Sequence, residues 1–156
     1  MSLTPGLGSA VDLFHKLQRD VGRLGNEVTN DQFFNLVITG YSLIDWVKND
    51  PSMPAAARTA DAIAGLHNEP WLKVCGDLAN ASKHFVLSKR RPVTKEVTSR
   101  GGWGVGRYGK GAFGEGERDI EVHINGAPTW SALEFSVGVL QAWLQFFERH
   151  GVQVTQ

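Results

Sequence analysis

The chain has 156 residues, 42% of them hydrophobic, and sixteen Lys plus Arg balance sixteen Asp plus Glu. That is enough apolar material for one domain with its own core, while charged residues cut every apolar stretch well short of the roughly 18–20 residues a membrane span needs. We expect no transmembrane helix; the first ten residues hold no Lys or Arg and no apolar run, which predicts no secretory signal and a cytoplasmic protein.

Ser9 opens the first predicted helix, whose apolar residues Phe14, Leu17, Val21 and Leu24 recur every three or four positions, with Gly25 as its stop. A second helix follows Thr29-Asn30-Asp31, with Phe34, Val37, Ile38, Tyr41 and Ile44 as the expected inner face, and ends at Asn49-Asp50-Pro51. Ser52 and Pro54 introduce a short alanine-rich helix reaching about Leu66, and a fourth runs from near Pro70 to about Leu87. Cys75, the only cysteine, falls among apolar neighbours and is expected in the core.

From Arg91 to Trp130 the pattern changes. β-Branched residues alternate in 93–98 and again in 120–124, predicting two strands. Between them, residues 101–116 contain eight glycines, the composition of a loop. Asn125-Gly126 signals a turn. Ser131 and Glu134 stand at capping-box spacing before a last helix expected to turn Leu133, Val137, Leu140, Leu144 and Phe147 inward, with Trp143 and Phe146 broadening the stripe, and to end at Gly151. The expected fold is mainly α: an antiparallel helical bundle over 1–156, with a two-stranded β-hairpin and Gly-rich loop inserted at 91–130.

The neutral total conceals a segregated charge. Residues 1–82 carry six basic and nine acidic groups, net −3; residues 83–110 carry eight and one, net +7; residues 111–156 carry two and six, net −4. Within the basic segment, Gly104-Val-Gly106-Arg-Tyr-Gly109-Lys110 matches dinucleotide and phosphate-loop patterns, but no helix follows and Gly111 stands where a magnesium-binding Ser or Thr would be required. The five histidines are scattered and Cys75 is alone, so no zinc spacing exists, and we expect neither metal nor cofactor.

On the fourth helix, about 100° per residue places Lys73, Asp77, Asn80 and His84 within about 60° of arc, opposite Trp71, Val74, Leu78 and Phe85. Two readings stand. The stripe is a solvated face with a weak Lys73–Asp77 pair, or Asn80 and His84 hold a phosphate or ribose hydroxyl with His84 as acid or base.

The stretch Leu78-Ala-Asn80-Ala-Ser-Lys83-His84, on the helix before the last of a small bundle, resembles the signature region of the HEPN superfamily. That family's motif is an Arg, a polar residue such as Asn, about three further residues and a His. Asn80 and His84 match; Ala79 occupies the Arg position. The resemblance implies a homodimeric helical bundle of the kind found among ribonucleases of toxin–antitoxin and phage-defence systems. The missing Arg implies either an inactive relative or one in which Lys83 or a loop arginine substitutes.

The expected function is therefore binding or metal-independent cleavage of RNA. His84 would be the acid/base, Asn80 would orient ribose or phosphate, Lys83 would offset phosphate charge, and Asp45 on the second helix would orient His84 or pair with Lys83. Lys89, Arg90, Arg91, Arg100, Arg107 and Lys110 would neutralise phosphates of a single-stranded RNA while Trp103 and Tyr108 stack its bases. The alternative is a non-catalytic module that binds a protein partner or a second copy.

Overall fold

The structure is a computed structural model and describes residues 3–83, 92–102 and 117–154, with the side chains of 101, 102, 117 and 118 left aside. Helix α1 spans Ala10–Asn26 and α2 spans Asn30–Asn49, followed by a 3₁₀ turn at Ala55–Arg58. Helix α3 covers Ala60–Asn68, α4 Pro70–Lys83 and α5 Ala132–Arg149. The alanine-rich stretch is thus not one helix, because Thr59 leaves the turn extended and caps α3 by accepting from the Ala62 amide.

Local signals set most of these ends. Ser9 accepts from the Asp12 amide at 3.1 Å and Thr29 from Gln32 at 3.1 Å, each satisfying a donor that the first helical turn leaves open. Ser131 and Glu134 form the reciprocal capping box of α5. Gly126 and Gly151 take the positive φ values of 69° and 67° that a turn and a helix C-terminus require.

The core lies where α1, α2, α4 and α5 meet. Phe14, Leu17 and Leu24 of α1 and Cys75 of α4 are buried as expected, and Val21 packs against the core partly buried. Two expected faces are right only in part: Val37 and Ile44 of α2 and Trp143, Phe146 and Phe147 of α5 are buried as expected, but the rest of each stripe is not. Helix α2 buries Phe33, Leu36, Val37, Gly40, Leu43, Ile44 and Val47, leaves Phe34 and Ile38 exposed and Tyr41 only partly covered. Helix α5 buries Phe135, Ser136, Gly138, Val139, Trp143, Phe146 and Phe147, while Leu133, Val137 and Leu144 are exposed and Leu140 is partly covered. Both helices carry apolar residues on two sides, so the 3.6-residue period identifies a helix without choosing its inner face.

Complementary shape makes that choice. A Cβ on Gly40 would lie 3.0 Å from Val139 Cγ1 and 3.4 Å from Cys75 Sγ, so the bare α2 backbone lets α5 and α4 approach. The Trp143 indole N–H donates to the Gly40 carbonyl at 3.1 Å. Between α1 and α2, the buried Asp20 carboxylate accepts from Lys16 at 2.6 Å and from the Thr39 hydroxyl at 2.9 Å, supplying the partners a buried charge requires.

Strands β1 (Thr94–Gly102), β2 (Glu117–Ile124) and β3 (Trp130–Ser131) form one antiparallel sheet in that order. The two long strands fall where expected but run further, β1 taking in Gly101 and Gly102 from the stretch expected as loop; β3 adds a short third, pairing Trp130 with Val122. Ile120 and Val122 enter the core. The Trp130 ring lies 3.9 Å from that of Trp71, and Trp71 lies over Gly138, where a Cβ would fall 2.4 Å from two indole carbons. Gly138→Ala should therefore destabilise the fold by about 1–3 kcal/mol, since the ring it displaces is already stacked. A urea midpoint equal to that of the parent protein would show that Trp71 can move at no cost.

Candidate nucleic-acid interface

Helix α4 carries the central residues, and at Asp77 its geometry departs from a solvated stripe. Asp77 is only 2% exposed. Its Oδ2 accepts from the backbone amides of Val93 at 2.7 Å and Thr94 at 3.0 Å, and from the Thr94 hydroxyl at 3.1 Å. Those donors lie just before and at the start of β1, so Asp77 fastens the strand to α4, sixteen and seventeen residues along the chain. The sequence held one indication: an acidic residue among Val74, Cys75 and Leu78, in a neighbourhood otherwise suited to the core.

Asn80 is half-buried and its amide donates back to the Gly76 carbonyl at 2.7 Å. Lys83, the last residue of α4, is exposed. Asp45 is exposed on α2, where its Oδ1 accepts from Asn49 at 3.0 Å. Among the described residues, no hydrogen bond or ion pair joins Asp45, Asn80 and Lys83, so the structure does not bring these three together. Ala79 is buried in the core, and the position matching the family's Arg is a packing position here.

Arg100 is exposed on β1, in register with Asp119 of β2. Opposite charges at facing positions favour the pairing of the two strands. His84, Lys89, Arg90, Arg91, Trp103, Arg107, Tyr108 and Lys110 lie outside the described residues.

Sequence reasoning passed over His123 on β2. Its two ring nitrogens lie 3.1 Å from the hydroxyls of Thr98 and Thr129, and Nε2 lies 3.6 Å from the Glu121 carboxylate. The ring thereby ties β1 to the segment preceding β3. At the other end of α4, burial pushes the Glu69 carboxyl above the usual range against the opposing effect of the Leu72 and Trp71 amides it faces. Burial likewise pushes the Cys75 thiol well up, leaving it an inert packing group.

No group of three or more His, Cys, Asp or Glu among the described residues could hold a metal ion. None of the described helices is long and apolar enough to cross a membrane. Compared with known proteins, the chain matches no family model, and no curated protein or solved structure is significantly similar to it.

Proposed function

We propose that the chain binds single-stranded RNA through the basic segment 83–110. The observation that carries this reading is charge segregation: eight basic residues and one acidic residue in that segment, in a protein whose two flanks are both acidic. Clustered cations release counterions from a phosphate backbone, and Trp103 and Tyr108 supply stacking surfaces for bases. The anchoring of Val93 and Thr94 by Asp77 supports it, because it holds one stretch of this segment against α4, the helix that ends in Lys83. The HEPN-like relationship, a homodimer, and a setting in toxin–antitoxin or phage-defence systems belong to the same proposal.

Binding is favoured over cleavage. A metal-independent nuclease needs an acid/base within reach of a group that orients it, whereas Asp45 and Asn80 are each engaged within their own helices. His84 would have to act with other partners.

Fluorescence anisotropy with a labelled single-stranded oligoribonucleotide tests this across a salt series. Affinity should fall as salt rises, and replacing Arg90, Arg91 and Arg107 with Ala should flatten the log–log slope by about 2. Trp103→Ala should weaken binding by roughly 1–3 kcal/mol if the indole stacks a base. Cleavage by the parent protein that His84→Ala abolishes would restore the nuclease. Absence of binding at low salt would remove the RNA reading.

A second reading, a non-catalytic protein-interaction module, is favoured by the outer face of α5. Leu133, Val137 and Leu144, at 37%, 46% and 37% exposure, together with Leu140 follow the spacing of a helix-pairing seam.

A further inference from the structure

A groove separate from the RNA reading runs along α3. Ala60, Ile63, Ala64 and His67 recur at i, i+3, i+4 and i+7 and so share one side of the helix. Lys48, from the last turn of α2, and Arg58, at the end of the 3₁₀ turn, complete the lining of a cavity of about 490 Å³. The space exists because the two alanines are short. Its floor is apolar, and among the described residues its remaining lining side chains are a lysine, an arginine and a histidine, with no acidic one.

Arg58 is held partly inward. Its Nε is closed off from solvent and makes no hydrogen bond among the described residues. Asp50 is an acidic group that feels its charge. Burial raises the Asp50 carboxyl, but hydrogen bonds from Ser52 and the Ala10 amide, with the charge of Arg58, outweigh it and leave the group below the usual range. Asp50 is thus already engaged, with the Ala10 amide at 2.7 Å and the Ser52 hydroxyl at 2.6 Å. One carboxylate balances at most one of the two fixed cations, Lys48 and Arg58.

We propose that this groove binds a phosphomonoester carrying a small apolar body. The dianionic phosphate would lie against Lys48 and Arg58, which suit it as a point charge and a fork of donors. The apolar body would cover Ile63 and the two alanines, the division of labour usual in small-molecule sites of this volume. None of the described residues lining the groove belongs to the segment 83–110, so failure of RNA binding and failure of this site are separate results.

Titrating ¹⁵N-labelled protein with phenyl phosphate tests the site. The amides of Ala60, Ala64 and His67 should shift saturably, with inorganic phosphate weaker because it lacks the body and benzoate weaker because it is a monoanion. Lys48→Ala should weaken phenyl phosphate roughly tenfold, the effect of one charge-assisted hydrogen bond. Ala64→Leu should abolish the shifts by filling the groove. Lys48 and Ala64 are both exposed, so these variants test the site without removing core contacts. Lack of localised shifts at millimolar phenyl phosphate would overturn the proposal. So would shifts that persist in Ala64→Leu, or that fall on β1 instead.

Discussion

Trp143→Ala should lower the stability of the fold by about 3–5 kcal/mol, the range for removing a large aromatic side chain from a packed core. Trp143 is fully buried, its ring lies 5.7 Å from those of Phe146 and Phe147, and its N–H reaches the Gly40 carbonyl. The site is poorly placed to collapse, because the α2 backbone at Gly40 is already in close contact with α5 and α4. Trp143→Phe should cost clearly less, since it keeps most of the volume and loses one hydrogen bond worth about 1 kcal/mol. Chemical denaturation of the two variants measures both. A loss below about 1 kcal/mol for Trp143→Ala would mean that the meeting of α2 and α5 is not a main source of stability.

The second large effect is local. Asp77→Ala removes the acceptor shared by the Val93 amide, the Thr94 amide and the Thr94 hydroxyl. The two Thr94 donors are buried and the Val93 amide only partly so; a donor left buried without a partner costs about 1–3 kcal/mol, so we expect a loss of about 2–6 kcal/mol. The loss should concentrate in β1, because Ile120 and Val122 hold β2 to the core independently. Hydrogen exchange should show β1 amides losing protection while α2 and α5 keep theirs, with the helical circular dichroism signal preserved. If RNA binding depends on how β1 is held, the same variant should weaken it; unchanged protection of β1 would show that Asp77 is not its anchor.

Leu140, by contrast, is only partly covered. Its truncation should cost less than that of Trp143, although the two stand three residues apart on the same helix.

The features legible in the sequence were those that short-range chemistry dictates. Ser9, Thr29 and the Ser131–Glu134 pair marked helix starts because a side-chain oxygen near an open helical amide acts within three residues. Alternating β-branched residues marked both long strands, and Gly126 and Gly151 marked turns that need positive φ. The basic segment was likewise visible as composition alone.

What only the tertiary structure decided were the choices between locally equivalent alternatives. Helix α5 offers Leu133, Val137, Leu140 and Leu144 on one side and Phe135, Val139, Trp143 and Phe147 on the other, and both sets fit a helical period. The second set is buried because the Trp143 indole reaches Gly40 across 103 residues and Trp71 fits over Gly138. Asp77 read locally as half of a solvated pair with Lys73, yet it became a buried anchor because the amides of Val93 and Thr94 arrive beside it on folding. Periodicity depends on neighbours within a turn, whereas burial depends on which distant surfaces fit, and that information lies in no single segment of the chain.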